Sequence, residues 1–294
     1  MGFFASKVLL SAIELKLFTL LAKKPATWQE AARALALNGR GAQDFLDTLV
    51  SLGLIERQGN GDEARYSNSR QAAMFLDQAS PHYMGGFLEM ANARLYRFWG
   101  HLTEALRSGR PQNEIKEASG QELFEALYAD QQRLETFLAA MAAAQQGNFA
   151  VLAESFDFSH YGSMCDVGGA SGALAMAVAR RHPRITCMSF DLPQVTPVAR
   201  RAIAAQGLGD RIILKEGSFF DDPLPKADVI TMGNILHDWG LDTKKMLIRK
   251  AYEALPQGGC FIAIENVIDD DRRNNTFGLL MSLNMLIETN DGFD

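Results

Sequence analysis

Cysteine is scarce in this sequence, with three in 294 residues, at positions 165, 187 and 260. Thiols so few and so scattered give neither a disulfide framework nor zinc-ligand spacing. Each lies in an apolar, strand-like stretch, where a free cysteine packs as a small hydrophobe, so a reducing, cytoplasmic setting is expected. Long apolar runs are missing as well. No run of ~18 apolar residues occurs, so no transmembrane helix is expected. The hydrophobic N terminus is interrupted by Glu14 and Lys16 at helical spacing, unlike the core of a signal peptide. Nor is there an excess of cations: 29 Lys and Arg against 35 Asp and Glu give a formal charge of −6, which argues against a nucleic-acid partner.

What is present is ordinary globular material. Hydrophobic residues make up 47% and charged residues 22% of the chain, enough to bury a large core and to exclude disorder, collagen and coiled coil. At roughly 150 residues per domain, the length implies two domains. The pattern changes near residue 150. Residues 1–150 read as mostly helical. Leu9, Leu10, Ile13, Leu17, Leu20 and Leu21 form one stripe of a first helix. Thr27 and Glu30 form a capping box for a second helix, and a third runs from Gly41 to Leu52 with Gly53 as its stop. A small hairpin follows, LIERQ and RYSNS around GNGDE. Three helices and a hairpin make a winged-helix pattern. A DNA-binding use is disfavoured, because the third helix carries Asp44 and Asp47 and no Lys or Arg from Gly41 to Leu52.

Residues 151–294 alternate strand and helix. Strands are expected at 163–168, 185–191, 211–217, 227–233 and 260–268, with helices such as 172–182 and 243–255 between them. That alternation implies an α/β domain with a parallel sheet and helices on both faces, binding its ligand at the carboxyl ends of the strands.

The chemistry-bearing residues fall at those strand ends. The first strand runs into Asp166-Val167-Gly168-Gly169-Ala170-Ser171-Gly172 and then a helix, where small residues and unpaired N–H groups let a ligand come close. Alanine at 170 and 173 makes a poor dinucleotide fingerprint. Asp191 ends the second strand, where a carboxylate can accept hydrogen bonds from both hydroxyls of a ribose. These features together read as a nucleoside-containing ligand. His237 follows the fourth strand, placing an imidazole able to remove a proton from a hydroxyl beside the crevice. Glu265, near the end of the fifth, could orient it. The other four histidines have no motif around them and read as structural.

In order, DVGGASG, FDLPQV, GSFF, LPKADVI, NILHDW and ALPQGG resemble the motifs of the S-adenosylmethionine-dependent O-methyltransferases. The group they are similar to contains plant caffeate and flavonoid, animal acetylserotonin, and bacterial polyketide and phenazine enzymes. The resemblance covers the whole chain and implies a Rossmann-like class I methyltransferase domain preceded by a helical winged-helix-like dimerisation domain. It implies S-adenosyl-L-methionine as cofactor, S-adenosyl-L-homocysteine as product, and a homodimer formed through the N-terminal domain, with no metal, nucleic acid or membrane involved. Residue by residue, it places Gly168, Gly169 and Gly172 beside the methionine part of the cofactor, with Asp166 and Asn234 also on the cofactor side. Asp191 falls at the ribose, Leu192 beside the adenine, and Ser218 and Phe219 flank it. It makes His237 the general base, supported by Glu265 and Asp294, and puts Phe137, Met141, Met281, Asn284, Met285 and Thr289 around a small aromatic or polyketide-like acceptor.

Several positions depart from the family pattern. GSFF stands where GDFF is usual, so the adenine amino group is expected to meet the Ser218 hydroxyl rather than a carboxylate. Gly233 stands where plant members carry a cofactor-side lysine. The sequence ends at Asp294, before the two final antiparallel strands of the family's sheet, so a longer native chain is expected. The competing readings are a family member using the cofactor for non-methylating chemistry (hydroxylation, decarboxylation or a pericyclic step), a winged-helix DNA-binding regulator and, more weakly, a nicotinamide-dependent dehydrogenase.

Overall fold

The computed structural model describes residues 1–116, 128 and 130–293. The chain divides into two compact units, Met1–Arg97 and Phe98–Asp294. The change of sequence pattern near residue 150 falls inside a single helix, Gln131–Ser155, which packs against the helix Ala173–Arg181 of the α/β unit. The helical stretch before the first sheet strand therefore belongs with the sheet, because that is where it buries its apolar face.

The N-terminal unit contains α1 (Gly2–Glu14), α2 (Leu17–Lys23), α3 (Trp28–Ala34), α4 (Gly39–Ser51), β1 (Ile55–Gln58), β2 (Arg65–Asn68), α5 (Arg70–Phe75) and α6 (Gly85–Met90). The leucine stripe expected of one helix is shared by two. Lys16 adopts a left-handed conformation at φ 56°, ends α1 and redirects the chain into α2. Ile13, Leu17 and Leu21 are still buried in one core, with Leu9 and Leu20 packed against it, so the periodicity reported the buried face, which survives the break. The capping box is formed: Glu30 N donates to Thr27 Oγ1 at 3.2 Å and Thr27 N to Glu30 Oε2 at 2.9 Å. Gly53, at φ 71°, ends α4, and the following N–H of Leu54 returns to Leu49 O at 3.0 Å.

β1 and β2 form the expected antiparallel hairpin. Asp47, on the helix that would read a DNA groove, is committed to that hairpin: Oδ1 accepts from Tyr66 Oη and from Arg57 Nη1, both at 2.7 Å. The helix face is thus used for packing inside the unit.

The second unit holds β3 (Ser163–Val167), β4 (Thr186–Asp191), β5 (Ile212–Glu216), β6 (Val229–Gly233) and β7 (Cys260–Ile264) in one parallel sheet, ordered β5-β4-β3-β6-β7. Its helices are α7 (Leu102–Ser108), α8 (Gln131–Ser155), α9 (Ala173–Arg181), α10 (Thr196–Ala205), α11 (Leu241–Ala254) and α12 (Thr276–Glu288). Successive strand residues feed opposite cores. Met164, Cys187 and Val229 pack with Leu174, Val178 and Ile203 on one face, while Cys165, Met188 and Ile230 pack with Leu247 and Ala251 on the other. Burial on both faces is why these strands read as nearly continuous apolar runs. β7 stops four residues short of its expected end because β6 turns away at Asn234 (φ 53°), leaving nothing to pair beyond Ile264. The chain moves outward from β3 through β4 to β5, then returns to the other side of β3 with β6. The crevice at this reversal is where such sheets bind ligands. Among the described residues no helix is long and apolar enough to cross a membrane.

The Asp47 contacts give the first test. Asp47→Ala leaves the Tyr66 hydroxyl without this acceptor and is expected to cost ~1–2 kcal/mol, measured as a lower denaturation midpoint of the N-terminal transition; an unchanged midpoint would show the contact to be incidental.

Candidate active site

Two turns leave the sheet side by side at the reversal between β3 and β6. The first follows β3. Gly168, Ala170 and Gly172 all take left-handed conformations, at φ 70°, 50° and 79°, and a side chain at 168 would run into Ile235 of the second turn. Glycine is needed there on both counts. Asp191, at the end of β4, ties this turn down: Oδ2 accepts from Ala170 N at 2.8 Å and Oδ1 from Leu192 N at 2.7 Å. Burial pushes the Asp191 carboxyl up to about 6, against the lowering effect of those two N–H donors. A desolvated carboxylate with lone pairs to spare, beside a close-approach glycine turn, fits a ribose with two hydroxyl donors. That is the observation by which this site suits S-adenosylmethionine.

Beneath the turn lies a buried polar row in which Ser189, Asp166 and Thr231 are in register on β4, β3 and β6. Thr231 Oγ1 donates to Asp166 Oδ1 at 2.7 Å. Burial pushes the Asp166 carboxyl up to about 7; the Thr231 hydroxyl opposes the rise and the Asp191 charge adds to it. Asp166 lies under the glycine turn, at the floor of the site.

The turn after β5 carries the two residues expected at the adenine. Ser218 Oγ accepts from Phe220 N at 3.2 Å and Asp221 N at 3.3 Å, while Ser218 N donates to Asp222 Oδ2 at 2.9 Å. The hydroxyl is therefore used as an acceptor inside its own turn, and what remains for a ligand is its O–H donor. Phe219 and Phe220 pack edge-on against Trp239, with centroids 6.1 and 4.8 Å away.

The second turn carries His237. It leaves β6 at Asn234, whose N–H donates to Ile264 O at 3.0 Å, and passes through a 3₁₀ turn, Leu236–Asp238. Glu265 stands one residue past β7 and works twice. Its Oε1 accepts from Ile235 N at 3.1 Å and Leu236 N at 2.8 Å, and its Oε2 lies 3.1 Å from His237 Nδ1. His237 Nε2 lies 3.5 Å from Asp238 Oδ1. The three side chains are nearly buried, at 11%, 11% and 17% exposure for His237, Asp238 and Glu265.

α12 packs against the His237 turn. Asn284, Met285 and Thr289 are buried, and Met281 is partly so. Asn284 Oδ1 accepts from the Trp99 indole N–H at 2.9 Å. Thr289 closes the helix, its hydroxyl donating to Met285 O at 3.0 Å and accepting from Gly292 N at 2.9 Å. Gly292 then rests on the His237 backbone: a Cβ there would sit 2.5 Å from His237 O. On α8, Phe137 clusters with Leu134, Leu138 and Val195 beside Ala170 and Leu192, and Met141 follows one turn later, half-buried. Asp294 lies outside the described residues.

Two site residues escaped the sequence reading. Asp238 was signalled only by its adjacency to His237. Tyr128 had no local signal; it packs in the cluster that holds Ala170 and Leu192, and burial, then the charges of Asp191 and Asp238, push its hydroxyl well above the usual range.

The Asp191 environment makes a pH prediction. Its folded value, about 6, is above the ordinary 3.8. The contribution to apo stability is thus fully present below the ordinary value and lost as the pH rises through about 6. Donors from a ribose favour the ionised form, so affinity for S-adenosylhomocysteine is expected to fall as the pH drops through this range. Calorimetric titration checks this, with Asp191→Asn flattening the profile.

Residues 99–293 match the profile of the O-methyltransferase domain, and residues 1–78 that of the O-methyltransferase dimerisation domain. The tetracenomycin polyketide synthesis 8-O-methyl transferase of Streptomyces glaucescens is 42% identical over 99% of this chain and 84% of its own length. An N,N-dimethyltransferase of Streptomyces rimosus is 37% identical over 95% of this chain and 79% of its own. The crystal structure of human N-acetylserotonin methyltransferase in complex with S-adenosylmethionine superimposes with a TM-score of 0.92 at 34% identity, covering 100% of this chain and 85% of that one. With both profiles matched and the fold shared along the whole chain, this protein belongs to the S-adenosylmethionine-dependent O-methyltransferase family.

Proposed function

We propose that the chain transfers the methyl group of S-adenosylmethionine to a hydroxyl of a small aromatic or polyketide-like acceptor, with His237 as general base. The observation that carries this reading is Glu265, which fixes the backbone of the His237 turn with one oxygen and faces His237 Nδ1 with the other, at 3.1 Å. A carboxylate at Nδ1 favours the tautomer protonated there, in which Nε2 carries the lone pair that takes up a proton, and stabilises the imidazolium that results.

The bound cofactor supplies a methyl group on a sulfonium, already a good leaving group. The glycine turn (Gly168, Gly169, Gly172) takes the methionine end, with Asp166 and Asn234 behind it. Asp191 holds the ribose hydroxyls, and Leu192, Ser218 and Phe219 border the adenine. Met141, Met281, Asn284 and Met285, with Phe137 and Thr289, border the acceptor; thioether side chains repack readily around a flat ring. His237 Nε2 takes the acceptor hydroxyl proton, and Asp238 Oδ1, 3.5 Å from that nitrogen, stabilises the charge. Asp294 is assigned the second supporting carboxylate. The rest of the rate comes from holding oxygen and methyl in line in a dry site.

The same reading gives a homodimer through the N-terminal unit. Phe3 and Phe4 of α1 are 64% and 59% exposed beside an open groove bordered by Val8, Leu15, Phe45 and Tyr96, apolar surface suited to a second copy. Light scattering is expected to give twice the chain mass, and a monomer would overturn this part.

The central test follows S-adenosylhomocysteine formation with a panel of phenols, catechols, hydroxyquinones and aromatic amines. His237→Ala is expected to lose about 10²- to 10⁴-fold in kcat with cofactor affinity kept. Turnover near wild type would remove His237 from the base role. Methylation of amines alone would move the acceptor atom to nitrogen. Cofactor binding without turnover on any acceptor would favour the non-methylating alternative.

A further inference from the structure

The turn after β5 is held in one shape from two sides. Its N–H groups are taken by Ser218 Oγ and Asp222 Oδ2. Its carbonyls are taken by a residue from a different element: Lys250, on α11, donates from Nζ to Phe219 O at 2.7 Å and to Phe220 O at 2.9 Å. One ammonium bridging two consecutive carbonyls fixes the orientation of both peptide groups. The rings that those peptides carry are in turn stacked edge-on with each other, at 4.7 Å, and with Trp239. Trp239 lies two residues after His237, so α11, the Phe219–Phe220 turn and the His237 turn form one connected assembly.

The chemistry of position 218 makes this assembly matter. A carboxylate there could attract the adenine amino group by charge. Ser218 has none, and its hydroxyl lone pairs already serve Phe220 N and Asp221 N. Recognition on this side is left to the Ser218 O–H donor and to the placement of the Phe219 ring, and the ring's placement depends on the peptide groups Lys250 fixes.

We propose that Lys250 is a positioning residue for the nucleoside half of the cofactor, fixing the Phe219–Phe220 backbone so that the Phe219 ring stays against Trp239 and flanks the adenine. The inference rests on the assignment of the adenine to this turn. Lys250 touches neither reacting atoms nor acceptor, so its loss should act on cofactor affinity and spare the chemical step.

The test uses the whole protein with Lys250→Met, which keeps the stem and removes the charge and donors, and Lys250→Arg, which keeps them. Dissociation constants are measured for S-adenosylhomocysteine and for 5′-methylthioadenosine, which carries the nucleoside but no amino acid. Lys250→Met is expected to raise both by the same factor, about 5- to 30-fold, with Lys250→Arg restoring most of it. At saturating cofactor, kcat and acceptor KM should stay within about twofold. Unchanged affinity for both ligands overturns the proposal. So does a loss of kcat, acceptor KM and thermal midpoint together, which would mark a merely structural lysine; if Lys250→Met does not fold, Lys250→Gln takes its place under the same criteria. Phe219→Ala separates the two levels. If it weakens both ligands while Lys250→Met weakens neither, only the lysine's role fails; if Phe219→Ala weakens neither, the adenine assignment fails and the proposal with it.

Discussion

Backbone N–H groups left unpaired where a parallel sheet ends must find acceptors, and here carboxylates supply them. Asp191 pairs Ala170 N and Leu192 N, Glu265 pairs Ile235 N and Leu236 N, and Asp222 pairs Ser218 N. An unpaired buried N–H costs free energy comparable to a lost hydrogen bond, so these acids are structural before they are chemical. Each then has capacity left over, because a carboxylate has about four lone-pair directions. At Glu265 the remainder faces His237, and at Asp191 it is the capacity that the proposed ribose contact would use. The same bonds that shape the turns therefore also position the side chains proposed for the reaction.

The arrangement also explains why the two turns approach so closely. Gly168 has no side chain to strike Ile235, and Gly292 has none to strike His237 O. At these two points the glycine turn, the histidine turn and the segment after α12 come into close contact. Such packing leaves no room for a side chain at either glycine, so a substitution there forces a neighbour to move. A price appears in the acids themselves: Asp166 and Asp191 are held above their ordinary range by burial, and ligand donors relieve part of that strain.

The N-terminal unit shows the opposite use of charge. Asp47 faces inward to Tyr66 and Arg57, so a helix in the groove-reading position of a winged helix ties down its own hairpin. A shared architecture thus serves packing, on a helix that carries one cation, Arg40, against Asp44 and Asp47.

The sequence alone was sufficient for whatever depends on neighbours within a few residues or on a single buried face. The capping box at Thr27, the stop at Gly53, the hairpin, the five strands and the glycine turn were legible because caps and periodicity are local. His237 and Glu265 were legible because strand ends converge at the sheet's reversal whatever the helices do. The break at Lys16 was not, since neither glycine nor proline marks it and the buried stripe continues through it. The unit boundary near residue 97, the place of Tyr128 beside Ala170 and Leu192, the inward use of the Ser218 hydroxyl and the grip of Lys250 on the Phe219 turn were decided only in three dimensions. For Tyr128 and Lys250 the partners come from distant elements, and for the boundary and Ser218 it is packing against the rest of the unit that decides. Sheet and helix packing fixes these matters, and no pattern along the chain encodes them.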